Sequence, residues 1–539
     1  MTPGVPPIGL PEGRSLPRRI LRPTFPELWI FLAVALPALA ALAAPLPTVD
    51  LAYQLRAGAD ILAGRGIPSV DTWTFTAAGR PWLDQQWGAQ AVLAAAYGVA
   101  GWTGLAIARA ALVAAIFGLV LVAIRRRAPG IGGRTAAWLT LAAFIVVAPA
   151  LALRPQLLGM LCFAAALTVI AGRRERPGLL WLLPVIAAAW ANLHGSFVLA
   201  PVLVGLAWLE DLGERSPLGE RSPRAGRTLV IAVATSAATL LTPFGLVAWR
   251  YAAGLATNRE VTARITEWQP TTLATVPGVL FWGSVALVGV AVALVALRRR
   301  RIPWPALVTL VAFAALGAMA ERGIAWWSLI AVVAVAGLVA SPPGGVTGPV
   351  APAGPVAPAG PVAPAGPVAP GGPCEAGAPP RPAPRGSIVN GLVVAVVIVV
   401  GAALLPSWRP VDTGTGAPRG LLSFAPSGVT AALRELASPS DRVWNPQRWG
   451  SWLEFAVPAP AYAFDARIEV IPPEAWRDGE LVAAAEPGWD AILDAAGVTI
   501  VVIDAETGGW PLTQALAASG EWSLRHEDGD GAIWVRAGR

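Results

Sequence analysis

The sequence predicts a polytopic α-helical membrane protein of about eleven transmembrane helices, with a small C-terminal exocytoplasmic α/β domain. Three observations carry that expectation. The 539-residue chain is 55% apolar and 14% charged, with a mean hydropathy of +0.59. Its apolar residues gather into runs near the ~20 residues that a helix needs to cross ~30 Å of hydrocarbon. The strong arginine clusters between those runs fall on alternate connections, as the positive-inside rule asks of a chain whose N-terminus is cytoplasmic.

Residues 1–27 form a proline-rich cytoplasmic tail bearing Arg14, Arg18, Arg19 and Arg22, ahead of a first apolar run at 28–46. The tail is long for a signal-peptide n-region and the run is long for an h-region, so the first span reads as a retained anchor. The main membrane domain, 28–340, continues through runs at 103–124, 135–153, 155–172, 179–193, 194–209, 228–241, 277–297, 303–320 and 323–340. Those at 179, 194 and 228 are short. With this parity Arg125–Arg127 and Arg134, then Arg173, Arg174 and Arg176, then the arginines from Arg215 to Arg227, and Arg298–Arg301 all lie inside. Residues 88–101 are also apolar, but a crossing there would translocate Arg125–Arg127, so the stretch reads as an interfacial or half-inserted helix. Outside remain the loop 47–102, the turns at Arg154-Pro155-Gln156 and Asn192–Gly195, the segment Thr242–Val276, Glu321-Arg322 and everything after residue 406. Chemistry is expected on that face of a plasma membrane.

Residues 341–386 are Pro/Gly/Ala-rich and carry four near-copies of PVAPAG. Proline every few residues denies a helix its donors, so this is a cytoplasmic linker of extended, polyproline-like character. A last span, 387–406, leads to a soluble domain at 407–539. There helices are expected at Gly428–Leu436, Ala483–Ala495 and Trp510–Ala518, and strands at Arg442–Trp444, Tyr462–Val470 and Val498–Asp504, with a closing hairpin of Trp522–Arg525 and Ala532–Arg536.

The net charge of +7 conceals a split: residues 407–539 hold 10 Arg against 18 Asp and Glu, a net −8, leaving 30 Arg against 15 acids elsewhere, +15. The positive excess is topological and gives no sign of nucleic-acid binding. The chain has no lysine and is rich in Ala, Gly, Pro and Arg, which reads as the codon bias of a high-GC, actinobacteria-like genome. A P-loop is thereby excluded. Cys162 and Cys374 make no disulfide framework, and no ligand set for zinc or iron stands at usable spacing. No cofactor is expected; a divalent metal stays open.

The first external loop is the richest segment, with Asp50-Leu-Ala-Tyr-Gln-Leu-Arg56-Ala-Gly58, then Gly66-Ile-Pro68-Ser-Val-Asp71-Thr-Trp73-Thr-Phe75-Thr, then Gly79-Arg80-Pro81-Trp82-Leu-Asp84-Gln-Gln-Trp87. Asp50 stands at the outer mouth of the first span, where an ionised carboxylate is costly unless paired or used. Two readings stand: a helix N-cap, or a catalytic carboxylate.

These runs resemble a large group of bacterial multispanning proteins related to polyprenol-phosphate-dependent glycosyltransferases of the GT-C fold. Further elements agree over nearly the whole chain: Arg154-Pro155-Gln156, Trp190-Ala-Asn192-Leu-His194-Gly195-Ser196, Thr242-Pro243-Phe244-Gly245, Glu267-Trp268, Glu321-Arg322, Trp449-Gly450-Ser-Trp452 and Phe464-Asp465-Ala-Arg467. In that fold the catalytic carboxylate lies in the first exocytoplasmic loop, and the matching position here is Asp50. Many relatives carry two adjacent acids; here Leu51 follows, so Asp71 or Asp84 would supply a partner unless each is a turn residue.

The resemblance implies transfer of a sugar from a polyprenyl-phosphate donor, at the membrane lipid surface, to an exocytoplasmic glycan, lipid or protein of the cell envelope. A carboxylate would serve as general base, and Arg56, Arg154 and Arg322 would hold donor phosphate through charge-assisted bonds. Arg154 and Arg322 also suit snorkelling to headgroups. His194, Asn192, Trp82, Trp87, Glu267 and Trp268 are candidates for sugar or acceptor contact, although a hairpin histidine is commonly bonded to backbone. Of the 24 tryptophans, Trp29, Trp102, Trp249, Trp282, Trp304, Trp326 and Trp327 fit an interfacial belt, whereas Trp73, Trp82, Trp87 and Trp268 lie in external loops. A non-catalytic scaffold, or a lipid or solute transporter with charges at the midplane, is the alternative.

Overall fold

The computed structural model describes residues 22–213, 223–257, 262, 264–298, 302–340, 386–506 and 510–538. The tail before residue 22, the linker from 341 to 385 with Cys374, and Arg215, Arg221, Arg259 and Arg299–Arg301 lie outside the described residues.

The chain builds a helical bundle from Phe25–Ala43 (α1), Leu51–Leu62 (α2), Trp87–Arg127 (α3), Gly133–Val147 (α4), Pro155–Ala171 (α5), Leu182–Leu193 (α6), Leu199–Gly213 (α7), Pro223–Ala238 (α8), Leu246–Thr257 (α9), Val276–Leu297 (α10), Trp304–Met319 (α11), Ile324–Ala340 (α12) and Ile388–Ala403 (α13). Among the described residues six helices are long and apolar enough to cross a membrane: Phe25–Ala43, Trp87–Arg127, Gly133–Ala150, Gly195–Gly213, Val276–Leu297 and Glu321–Ala340. Pro155–Ala171, Pro177–Leu193, Trp304–Met319 and Ile388–Ala403 are apolar but shorter. The run expected at 228–241 is helical as α8 but falls in neither group. The protein is a polytopic helical membrane protein.

Local sequence explains where helices start and stop. Thr24 and Glu27 form a capping box, with Thr24 N donating to Glu27 at 2.8 Å and Glu27 N to the Thr24 hydroxyl at 3.4 Å, so two orphan donors of α1 are met. At its other end Arg109, reaching from α3, donates to the carbonyls of Ala41, Ala44 and Pro45, which have no intrahelical partner. The apolar stretch 88–101 is helical and is set off from the following span by a break at Ala100 and Gly101, where Gly101 takes φ 55°. Glycine adopts that conformation without a Cβ clash. The Glu321–Ala340 helix is the most buried of the six, 72% of its apolar window lying inside the bundle, as suits a helix with no polar face.

The two ends of the bundle differ in chemistry. Where α3 and α5 finish, Arg127, Arg173 and Arg174 converge on Glu210, and Arg173 also on Asp211 at 2.9 Å. At the other end of α5 lies Arg154, together with the 47–102 loop and the C-terminal segment.

That segment folds as Ser427–Leu436 (α14), Arg442–Trp444 (β1), Gln447–Ala456 (α15), Ala461–Tyr462 (β2), Pro473–Ala483 (α16), Trp489–Ala495 (α17), Ile500–Asp504 (β3), Trp510–Ser519 (α18), Trp522–Glu527 (β4) and Gly531–Arg536 (β5). Its sheet runs β2-β1-β3-β5-β4, with β2, β1 and β3 parallel and β5 and β4 antiparallel. Two expectations need correction. The strand expected over Tyr462–Val470 stops at Tyr462: beyond the ladder bond from Ala463 N to Val443 O (3.0 Å), Phe464 N donates to Asn445 Oδ1 at 3.4 Å and Arg467 N to Asp465 Oδ1 at 2.7 Å, folding the chain into a turn. The helix expected at Ala483–Ala495 begins only at Trp489, because α16 ends at Ala483 and the chain turns left-handed at Ala485 (φ 51°) and Gly488 (φ 95°). Helix α15 occupies the Trp449–Trp452 stretch. There Gly450 is required, since a Cβ would sit 1.7 Å from Phe464 O.

The first loop and the C-terminal segment are joined, so they share one side of the bundle. Leu46 N donates to Leu421 O at 2.6 Å, Phe75 N to Tyr462 O at 2.9 Å, and the Thr76 hydroxyl to Ala463 O. Trp452 packs on Trp102 of α3 (5.9 Å) and on Phe424 (6.0 Å).

Candidate active site

Asp50 begins α2 but does not cap it. Its backbone is helical (φ −73°, ψ −19°) and its side chain makes no capping bond. The carboxylate instead faces Arg154, whose Nε lies 3.2 Å from Oδ2 and whose Nη2 donates to Oδ1 at 3.5 Å. Arg154 precedes Pro155 at the start of α5 in an extended conformation, as the residue before proline prefers, which projects it from the helix end. It also pairs with Glu267, and Arg322 Nε donates to the same carboxylate at 3.0 Å while its guanidinium lies 4.7 Å over the Trp268 ring. Two carboxylates and two guanidinia from four separate segments thus form one chain of ion pairs.

This network lines a cavity of about 280 Å³ together with Tyr53, Gln54, His194, Tyr251 and Glu469. Electrostatics within it are uneven. Asp50, ahead of burial, holds the Arg154 guanidinium more firmly charged than usual. Burial raises Glu267, but Arg154 and Arg322 outweigh it and leave the carboxyl below its ordinary range. Burial lifts Glu469 above its ordinary value, and the Tyr251 hydroxyl lies 3.4 Å from it. Burial, then Arg322 and Arg154, push His194 down to about 3. A neutral His194 agrees with its bonds: Nδ1 accepts from Ser196 N at 3.1 Å and lies 2.7 Å from Ser196 Oγ.

A second space of about 200 Å³ shares Arg154, Gln156, Glu267 and Arg322 with this cavity and reaches Val146 and Ile324. Val146 in turn lines an apolar groove of about 490 Å³ between α4, α10 and α12. Three neighbouring spaces therefore succeed one another from an apolar helix groove, past two arginines, to Asp50.

Comparison with solved structures bears on the fold that carries these residues. The archaeal oligosaccharyltransferase AglB of Archaeoglobus fulgidus, solved with an inhibitory peptide and a dolichol-phosphate, aligns over 95% of this chain and 75% of its own, with a TM-score of 0.51 and 12% identity. The mycobacterial arabinofuranosyltransferase AftD aligns over 94% of this chain and 41% of its own, with a TM-score of 0.51 and 17% identity. Both have the GT-C fold. This chain has a GT-C-like membrane fold. No family model and no curated protein sequence matches it.

Within that fold the residues singled out from sequence divide into two groups. Asp50, Arg154, His194, Glu267, Trp268 and Arg322 meet at the cavity. Asp71, Asp84, Arg56, Trp82, Trp87 and Asn192 do not line it. Asp71 is buried and accepts from Trp73 N and Thr74 N (3.2 Å each), the Thr74 hydroxyl (2.6 Å) and Arg467. Arg467 also pairs with Asp465 and lies 4.4 and 4.5 Å over the Trp73 and Trp82 rings. Trp82 is consumed by that packing. Arg56 turns to the Trp73 face (4.6 Å) and to the buried Glu454 (3.7 Å). Trp87 donates to Asn192 at 3.0 Å, and Asn192 donates to Ala188 O and Leu241 O at 2.8 Å, tying loop to hairpin. Asp84 accepts from Gln90 at 2.7 Å, and burial pushes its carboxyl up to about 7.

Sequence reading passed over Glu469, Tyr251 and Gln54 as site residues. Glu469 had a signal: it is the acid in the otherwise apolar run Ile468–Ile471, two residues past the Asp465/Arg467 motif. Among the described residues no cluster of three metal-ligating side chains forms.

Proposed function

We propose that the protein is a glycosyltransferase that moves a sugar from a polyprenyl-phosphate donor to an acceptor on the exocytoplasmic face of the plasma membrane, in cell-envelope assembly. The observation that carries the reading is the succession of neighbouring spaces from the apolar groove of α4, α10 and α12, by Arg154 and Arg322, to Asp50. A lipid-linked sugar phosphate has those three parts in that order. The prenyl chain would occupy the groove, the phosphate would take charge-assisted bonds from the two arginines, and the sugar would lie beside Asp50. The likeness to AglB, solved with a dolichol-phosphate, supports a lipid-phosphate donor.

In the reaction the acceptor hydroxyl oxygen attacks the anomeric carbon. The bond from that carbon to the phosphate oxygen breaks, and its electron pair leaves with the polyprenyl phosphate. The hydroxyl proton passes to the Asp50 carboxylate as general base, while Arg154 and Arg322 stabilise the charge developing on the leaving phosphate. Glu267 holds both arginines in place. The reading takes the eleven spans, a cytoplasmic N-terminus and linker, and a C-terminal exocytoplasmic domain at 407–539. The buried Arg109 is committed to carbonyls at the end of α1, which disfavours its use as a charged midplane site of the kind a transporter has.

Purified protein would be offered radiolabelled polyprenyl-phosphate sugars with native membrane lipids and glycans as acceptors. Transfer by wild type that Asp50→Asn abolishes without loss of folding is the expected result. Absence of turnover with every donor, or undiminished turnover by Asp50→Asn, would refute it.

A further inference from the structure

A cavity of about 370 Å³, larger than the one at Asp50, lies in the C-terminal segment. Its floor is the carboxyl end of two parallel strands: Trp444 closes β1 and leads into Asn445–Arg448, and Val502–Asp504 closes β3. That edge is where open sheets with parallel strands bind ligands, because the chain turns away on both sides and leaves a crevice. Arg264 and Gln447 line both cavities, so the crevice opens toward the Asp50 site.

The walls indicate the occupant. Trp444, Phe464 and Trp476 supply aromatic surface, with Phe464 and Trp476 stacked at 5.5 Å. Around them stand acids and arginines in alternation: Arg264 pairs with Glu480 at 2.8 Å, and Arg448 Nε lies 2.8 Å from Asp504 Oδ2. Trp476 is held in that wall by its stack on Phe464 and by the Arg264 guanidinium 4.7 Å over its ring. A sugar ring matches such a wall, since its hydroxyls both donate and accept while its C–H faces lie on aromatic surface. A prenyl chain does not, and the groove between α4, α10 and α12 shows by contrast what an apolar site in this protein looks like. The two acids balance the two arginines, which disfavours a strongly anionic ligand.

We propose that this crevice is the acceptor subsite and that the acceptor is a saccharide, with its terminal hydroxyl directed past Arg264 and Gln447 toward Asp50. The proposal rests on the glycosyltransferase reading, but binding tests it without turnover. Full-length protein in lipid nanodiscs would be exposed to an array of neutral and acidic tri- to pentasaccharides and, in parallel, to a peptide library, with no donor lipid present. Donor affinity would be measured separately with a radiolabelled polyprenyl-phosphate sugar. Expected is saccharide binding that Glu480→Gln and Trp476→Phe each weaken about tenfold, the first by loss of a charged acceptor and the second by loss of aromatic stacking surface, with donor affinity unchanged. Glu480 is largely exposed, so its substitution tests the crevice without risk to folding. Binding of peptides but not saccharides, saccharide binding indifferent to both variants, or no binding to the array would each overturn the proposal. Failure of transfer alone, with saccharide binding intact and variant-sensitive, would instead count against the transferase reading and leave the crevice standing.

Discussion

Arg467→Met isolates the connection between the first loop and the C-terminal segment. The Arg467 guanidinium is 1% exposed and carries two carboxylates, Asp71 and Asp465, themselves fully buried. Burial alone would lower its proton affinity, but Asp465 and Asp71 more than compensate and hold it charged. Methionine fills similar space against Trp73 and Trp82 yet leaves both acids without their cation. Breaking a buried pair in this way costs about 3–5 kcal/mol, because an uncompensated charge remains. At about 1.4 kcal/mol per decade, the local opening equilibrium should shift by on the order of 100-fold or more. Hydrogen exchange read by mass spectrometry in nanodiscs is the assay, on peptides covering 70–80 and 461–472, with bundle helices as internal control. Asp71→Asn should cost less, about 1.5–3 kcal/mol for a bond to a charged group, since Arg467 keeps Asp465 and the amide oxygen can still accept from Thr74 N and the Thr74 hydroxyl, while Trp73 N loses its acceptor. Replacing Asp71, Asp465 and Arg467 together by apolar residues should recover much of the protection. Wild-type protection in Arg467→Met, or a larger loss in Asp71→Asn, would refute the assignment of Arg467 as the cation on which both acids depend.

Other consequences are open to measurement. Asp50→Asn should lower the transfer rate by about 10²–10⁴-fold, the range of general-base catalysis, with donor affinity changed far less; equal losses in both would point to a binding role. Arg154→Lys and Arg322→Lys keep charge but lose the planar fork, so donor affinity should fall by about tenfold or more in each, as read by competition with a labelled polyprenyl phosphate. Asp84, raised to about 7, binds its proton more tightly folded than unfolded, so stability should decline as pH rises from about 4 to 7 and level off above. Asp84→Asn should flatten that dependence in thermal inactivation profiles and raise stability at pH 8; an unchanged slope would place the titration elsewhere.

The bundle was legible because its signal is dense: each apolar run reports on few neighbouring residues. The site was legible only in part, because a motif marks a constrained residue without saying what constrains it. Gly58 in the first motif is held by packing, since a Cβ would meet Gln90 O at 2.1 Å. Asp71, Trp82 and the Asp465/Arg467 pair belong to one buried clamp built from segments nearly 400 residues apart, which no local spacing could reveal. The same distance hid Glu469, whose neighbours Tyr53 and Tyr251 come from two other segments. Strand assignment failed at Phe464–Val470 for a related reason. Alternating residues suggested a period of two, but side chains of Asn445 and Asp465 take the backbone donors of Phe464 and Arg467 that a longer strand would have used.

The charge balance of the cavity suggests how donor and base would be coupled. Without ligand, Arg154 is shared between Asp50 and Glu267, and Arg322 is bound to Glu267. While Arg154 stays on Asp50, its guanidinium occupies carboxylate oxygens that an acceptor hydroxyl would have to reach. A donor phosphate entering between the arginines competes for the same guanidinium, and each bond it gains there is one Asp50 loses. The Asp50 oxygens would then be freed when a sugar is in place to be attacked. Without donor, the ion pair would keep the carboxylate from activating water. Lysine at 154 would put a single point charge where a fork spans two acids, unable to hold Glu267 while releasing Asp50. On that account Arg154→Lys should impair turnover more than it impairs donor binding, whereas Arg322→Lys, with no contact to Asp50, should impair the two alike.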